Sequence, residues 1–280
     1  MEAFLGQAEP TFLTDVIILT ISGLLAGFVA GLFGVGGGTI TVPILFHWYI
    51  HMGGVSDDVA MHVAVGTSLA TIITTSYSSS RAHRQKGSVD DQLLYIWAPF
   101  ICLGSILGVI LAAQFSGAAL RGTFGFFLLA IAIYMLFTPE GKTMFGKLPT
   151  LWLQRAIAGS IGTLSSLVGI GGGAISVPVM SLFGVPLRMA VGTSSAFGML
   201  IAIPGTIGFV ISGLGTEGLP PYTLGYVSFL GLLVLLPTSA FTAPIGARLA
   251  HKMDRTFLRK IFSLFLTFVS AKMLWGLLVP

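Results

Sequence analysis

Two glycine runs hold the residues best placed to do chemistry. Gly36-Gly37-Gly38 lies within Leu32-Phe33-Gly34-Val35-Gly36-Gly37-Gly38-Thr39-Ile40-Thr41-Val42-Pro43. Gly171-Gly172-Gly173 lies within Leu167-Val168-Gly169-Ile170-Gly171-Gly172-Gly173-Ala174-Ile175-Ser176-Val177-Pro178. Three glycines in a row inside an apolar segment break a helix. New helices then start near Thr39 and Ala174. A helix N-terminus carries about half a positive charge and several free N–H donors, and glycine lets a ligand come close to them. Two such ends facing each other would hold a small oxyanion with no charged side chain. Hydroxyls could add donors: Thr67 and Ser68 from Ala64-Val65-Gly66-Thr67-Ser68, and Thr193, Ser194 and Ser195 from Ala190-Val191-Gly192-Thr193-Ser194 and the residue after it. Plainer roles stand beside these, namely close helix packing for the glycines and interhelical hydrogen bonds for the hydroxyls.

The elements that must position these residues are membrane helices. Of the 280 residues, 54% are hydrophobic and 9% charged, against about 25% charged in a soluble domain. The net charge of +4 comes from loops and is an orientation signal, not a nucleic-acid patch. A lone cysteine, Cys102, excludes an intrachain disulfide. The N-terminus, with Glu2, Glu9 and Asp15, does not read as a signal peptide.

The two glycine runs stand about 135 residues apart, close to half the chain, as an internal duplication would place them. Leu120-Arg121 and Leu258-Arg259 each open a last apolar segment. The expected fold is an all-α, polytopic bundle of two repeats, residues 1–140 and 151–280, joined by a cytoplasmic linker over 141–150. Each repeat begins with a hairpin broken at its glycines: Phe12 to Phe33 with Thr39 to Tyr49, and Leu151 to Val168 with Ala174 to Phe183. The second arms are too short to cross a core of about 30 Å. Full spans follow over Val59 to Ser80, Leu93 to Phe115, Thr123 to Thr138, Met189 to Ile211, Tyr222 to Leu249 and Phe257 to Val279. If the hairpin arms crossed fully, each half would have five crossings with the same sidedness.

Basic residues set the orientation. The loop after the first Gly-Thr-Ser helix is basic (Arg81, Arg84, Lys86), and the equivalent loop over Gly213 to Pro221 carries only Glu217. The next turns reverse this, with Arg121 alone against Arg248, Lys252, Arg255, Arg259 and Lys260. The halves are therefore expected to be inverted, with both termini outside the cytoplasm. Broken helices at corresponding places in two halves point to a transporter site.

The doubled Gly-x-Gly-Gly-Gly-x-Ile-x-Val-Pro stretch and the doubled Ala-Val-Gly-Thr-Ser motif resemble the sulfite exporter TauE/SafE family over essentially the whole chain. That resemblance implies an inner-membrane permease for small sulfur-containing anions such as sulfite or sulfoacetate. It places substrate-binding positions at Gly36, Gly37, Gly38, Thr39, Thr67, Ser68, Gly171, Gly172, Gly173, Ala174, Thr193, Ser194 and Ser195. The copies differ where Thr39 faces Ala174 and Leu69 faces Ser195, so the half-sites are unequal.

Other chemistry is poorly supplied. No acidic or basic residue lies at the centre of a predicted span. His47, His51 and His62 lack a carboxylate or cysteine partner for a metal site. His83 reads as solvated in a basic loop. Trp48, Tyr49, Trp97, Trp152 and Trp275 sit at segment ends like an aromatic belt. Arg81 and Arg188 flank the motif helices, as anion lures or topology anchors. No Lys-Ser/Thr follows the glycines, so neither run is a P-loop. A hydrolase would need a base beside Ser68 or Ser194, and none is expected. No catalysis and no cofactor is expected. The partners are a small anion and the lipid bilayer. A channel is the remaining rival, distinguished by flux that does not saturate.

Overall fold

The structure, a computed structural model, describes residues 10–34, 36–51, 55–137, 145–249 and 255–278. Among these, ten helices and one two-residue strand pair account for the ordered elements. The helices are α1 (Pro10–Phe33), α2 (Gly38–His51), α3 (Asp57–Arg84), α4 (Asp91–Ala112), α5 (Gly117–Phe137), α6 (Leu151–Val168), α7 (Gly173–Leu182), α8 (Leu187–Ser212), α9 (Phe229–Leu249) and α10 (Arg255–Leu278). Strands β1 (Thr223–Leu224) and β2 (Val227–Ser228) pair antiparallel before α9. Seven of the helices are long and apolar enough to cross a membrane: α1, α3, α4, α5, α8, α9 and α10. The protein is a multi-pass helical membrane protein. Expectations at Glu2, Glu9 and Lys252, the first part of the linker over 141–144, and the segment ends at Thr138 and Val279 lie outside the described residues.

Local chemistry sets the helix ends. Ser56 caps α3, its hydroxyl accepting from the Val59 N–H at 3.3 Å, with Asp57 and Asp58 in the first turn. Asp90 caps α4 by accepting from the Leu93 N–H at 2.9 Å. Gly169 ends α6 in the left-handed region, as a C′ glycine does. The short arms are as short as expected. At 1.5 Å per residue, the 14 residues of α2 and the 10 of α7 span about 21 and 15 Å, well under a bilayer core. The long arm α1, with 24 residues, is of span length.

Helix α3 is the centre of the fold, buried along most of its length. It packs antiparallel on α8: Ser79 bonds Ser195 at 3.3 Å, Gly198 abuts Ser76, and Gly205 abuts Leu69. These two helices carry the two Gly-Thr-Ser motifs. Helices α5 and α10 also pair antiparallel, with Ser270 donating to the Gly125 carbonyl and the Arg121 guanidinium to the Met273 carbonyl. The other large contacts are parallel. In one, Gly23, Gly27 and Gly31 of α1 meet Leu235, Ser239 and Ala243 of α9; in the other, Gly104 and Gly108 of α4 meet Gly159 and Thr163 of α6. Glycines one helical turn apart permit these approaches.

Several expectations need correction. Arg121 does not open a turn; it lies within α5, which starts at Gly117, four residues before it. It is only 9% exposed, held by the Met273 carbonyl, by Asp57 at 3.7 Å and over the Phe46 ring. His83 is not solvated: α3 continues to Arg84, and the buried His83 Nε2 meets the Gly31 carbonyl at the end of α1. Of the expected aromatic belt, Trp152 and Trp275 are exposed, whereas Trp48, Tyr49 and Trp97 are buried. Trp97 stacks on Phe197 and donates its N–H to Gln154 at 3.2 Å, which satisfies the indole inside the bundle. Helix α9 begins at Phe229, not Tyr222. Pro220 and Pro221 precede it, and the left-handed Tyr222 and Gly225 turn the chain through the β1–β2 hairpin.

Candidate functional site

The two glycine runs meet. A Cβ placed on Gly36 would lie 2.7 Å from the Gly171 Cα, and one on Gly38 would overlap the Gly169 carbonyl. The contact falls against the middle of both motif helices. Gly36 faces Ile72 of α3, and Gly172 faces Phe197 and Ile201 of α8. Helices α2 and α7 start here, so two helix N-termini converge on one buried point. Gly36, Gly37, Gly38, Thr39, Gly171, Gly172, Gly173 and Ala174 are all buried. The backbones touch, so an anion enters between them only if the tips part.

Both tips are closed by the same local bonds. Thr41 donates its hydroxyl to the Gly37 carbonyl at 3.1 Å, and Ser176 donates to the Gly172 carbonyl at 2.6 Å. The serines of the motif helices reach across. Ser68 donates to the Gly169 carbonyl at 2.9 Å, and Ser194 to the Gly34 carbonyl at 3.4 Å. Each motif thus holds the glycine run of the opposite half. Thr75 adds a bond to the Gly36 carbonyl at 3.3 Å. Ser195 donates to Val191 and touches Ser79.

Thr67 and Thr193 do something else. Thr67 Oγ1 accepts from the Ser228 N–H at 2.9 Å, and Thr193 Oγ1 accepts from the Asp90 N–H at 2.8 Å. Asp90 caps α4 and Ser228 immediately precedes α9, each the helix that follows a motif helix. The glycine before each threonine makes room: Gly66 lies against the Tyr226 carbonyl and Gly192 against the Ser88 carbonyl. Gly-Thr is therefore a clamp on the other half's loop, one at each end of the α3–α8 pair. Asp90, Ser228, Ser88 and Tyr226 were not read from the sequence. The repeated Gly-Thr pair was the available signal, but nothing in it says which loop it grips.

Some buried hydroxyls near the tips have no hydrogen-bond partner among the described residues: Thr39, Ser76 and Ser165. Aligned on the glycine runs, Thr39 corresponds to Ala174 and Ser165 to Ala30. Aligned on the Gly-Thr-Ser motifs, Ser76 corresponds to Ala202. An unpaired buried hydroxyl is unfavourable unless something bonds it. All three sit where the other half has alanine, so the repeated packing does not require them.

Other side chains singled out in the sequence lie elsewhere. Arg81 and Arg188 are exposed. His47 Nδ1 meets the Pro43 carbonyl at 2.7 Å. His62 is buried, its ring nitrogens facing the Asp58 and Ala112 carbonyls at 2.7 and 3.2 Å, and it offers no hydrogen bond to Ser68. Cys102 sits against the Leu200 carbonyl.

A multi-pass bundle with broken helices meeting near the middle of two antiparallel helices is the architecture of a membrane transporter. The family described as Sulfite exporter TauE/SafE matches residues 19–273, and the chain belongs to it. A probable membrane transporter protein of Haemophilus influenzae is 34% identical over 261 residues, covering 93% of this chain and 98% of that one. The probable membrane transporter protein YunE of Bacillus subtilis is 30% identical over 278 residues, covering 92% and 97%. A probable membrane transporter protein of Methanocaldococcus jannaschii is 29% identical over 264 residues, covering 92% and 94%. No solved structure matches.

Proposed function

We propose that the protein is a secondary transporter that exports small sulfur-containing anions, sulfite or an organosulfonate such as sulfoacetate, and has no catalytic role. The anion is held at the facing glycine tips by backbone N–H groups of Gly36 to Thr39 and Gly171 to Ala174. The unpaired Thr39 hydroxyl is a side-chain donor to it, and Ser68, Ser194 and Ser195 become donors when the parting tips release them from the carbonyls they now bond. Thr67 and Thr193 act one step away, by holding the loops. The observation that carries this reading is the contact between Gly36 and Gly171 at the starts of two helices. Helix N-termini favour anions, and uncharged donors bind weakly enough to release them.

The halves, 1–140 and 151–280, work as inverted repeats around this point in the inner membrane. The loop charges put both termini outside. In this reading the touching tips and the two closed Gly-Thr clamps belong to a closed state of the cycle. Alternating access then means releasing one clamp at a time while the tips part. The membrane potential would itself favour outward movement of an anion.

The test is flux in proteoliposomes with sulfite, sulfate, thiosulfate, sulfoacetate and acetate. Saturating sulfite or sulfoacetate flux, with acetate excluded, is the expected result. Flux that stays proportional to concentration would identify a channel, and acetate preference would remove the sulfur-anion assignment.

A further inference from the structure

A cleft of about 840 Å³ runs between α1, α2 and α10. Its volume is at the upper end of ordinary small-ligand pockets, about 300–1,000 Å³. The walls are apolar, with Leu25, Val29, Ile44 and Phe265 among them, and Ile40 brings the cleft up to the first glycine tip. Three polar side chains break the pattern, and one of them, His47, meets the Pro43 carbonyl of its own helix. Lys272 is exposed on α10 and lines the cleft. Trp48 also lines it, 6% exposed, and its indole N–H has no acceptor among the described residues.

The second hairpin shows what a closed version looks like. Aligning Leu120-Arg121 with Leu258-Arg259 matches Tyr134 to Lys272, and aligning the glycine runs matches Pro178 to Pro43. Tyr134 donates its hydroxyl to the Pro178 carbonyl at 3.5 Å, tying α5 to α7. The Pro43 carbonyl is instead met by His47 of its own helix, and Lys272 puts a cation where the tyrosine stood. Lys272 lies six residues, about 9 Å of helix, from the end of α10 at Leu278. From there its stem can reach the membrane interface. A cation at interfacial depth above an apolar cleft fits one chemistry, an anionic head joined to a hydrocarbon tail.

We propose that this cleft binds one anionic phospholipid, its phosphate on Lys272 and one acyl chain along α1 and α2. The Trp48 N–H is a donor for the ester or phosphate oxygens. The bound lipid braces the first hairpin from outside, a support the second hairpin obtains from Tyr134.

The experiment is thermal unfolding of the full chain in detergent, with phosphatidylglycerol, with phosphatidylcholine of the same chains, and with glycerol phosphate. Wild type, Lys272→Gln and Ile44→Trp are compared. Phosphatidylglycerol should raise the melting temperature above phosphatidylcholine, by about 2–4 °C. Lys272→Gln should erase that difference by weakening binding roughly fivefold, the contribution of one lysine near an anionic head. Ile44→Trp should reduce both lipid effects by obstructing the acyl path along α2. Equal shifts from the two lipids in wild type, or an undiminished difference in Lys272→Gln, would overturn the site. So would a glycerol phosphate shift equal to that of the lipid, since the ligand would then be a soluble anion. A wild-type dimer that Ile44→Trp splits would assign the cleft to a second copy instead. Should Ile44→Trp fail to fold, the Lys272→Gln comparison alone decides.

Discussion

The two glycine tips have nearly the same sequence and different backbones. In the first, Gly34, Gly36 and Gly37 all adopt positive φ, at 67°, 86° and 80°. In the second, only Gly169 does, at 73°, and Gly172 sits at −50°. Four residues join the helices in each case, 34–37 and 169–172. Glycine is thus required by conformation at Gly36 and Gly37 and only by space at Gly172. The lesson is that a repeated motif does not make two equal half-sites. The first tip is the conformationally demanding one, and it also carries the unpaired Thr39 where the second has Ala174.

The sharpest way to break this comparison is one alanine at each tip. Gly36→Ala forces a side chain into the left-handed region, about 1–2 kcal/mol, and drives it into the Gly171 backbone, about 1–3 kcal/mol more. Sulfite flux should be lost. At Gly172 the backbone admits a side chain and the nearest atom, at 2.7 Å, is the terminal Cδ1 of Ile201, not backbone. Gly172→Ala should cost about 1 kcal/mol and reduce flux only a few-fold. Equal losses in flux and melting temperature would show that the backbone difference has no functional weight.

The clamps give the next largest effect, and here the halves should behave alike. Thr67→Val leaves the buried Ser228 N–H without its acceptor, and Thr193→Val does the same to Asp90. Each should lose about 1–3 kcal/mol in denaturant unfolding. A neutral result in one alone would mean that only one loop is held. A smaller and more selective effect belongs to Thr39. Thr39→Val removes a hydroxyl that has no protein partner, so stability should hold or rise. Half-saturation for sulfite should increase about fivefold if that hydroxyl bonds the anion; an unchanged value would leave Thr39 to packing. Last, in a Cys102→Ala background, Gln85→Cys and Glu217→Cys should leave transport intact. Membrane-impermeant thiol reagents should label them from opposite sides, and same-side labelling would contradict the inverted arrangement.

Much of the fold could be read from residues alone because bilayer thickness and apolar run length are tightly linked. The segment Leu151 to Val168 coincides with α6, and the shortness of α2 and α7 follows from where the glycines fall. What was missed depends on partners far along the chain. Arg121 looked like a turn residue because its buried acceptors, Met273 and Asp57, lie on other helices. His83 looked solvated because the Gly31 carbonyl it meets lies 52 residues away. At the candidate site, the glycine runs were visible as helix breaks. The threonines next to them were read as donors to the same point, whereas their oxygens are turned to the loops of the other half. Motif spacing shows that two residues recur, not which way their side chains face.

The central claim is that peptide N–H groups at the two tips hold the anion. Backbone amide hydrogen exchange, followed by mass spectrometry in nanodiscs with and without sulfite, tests it directly. Sulfite should slow exchange in the peptides spanning Gly36 to Thr41 and Gly171 to Ser176, half-maximally at the concentration that half-saturates flux. Exchange at both tips that is unchanged by saturating sulfite, while flux proceeds, would contradict the account.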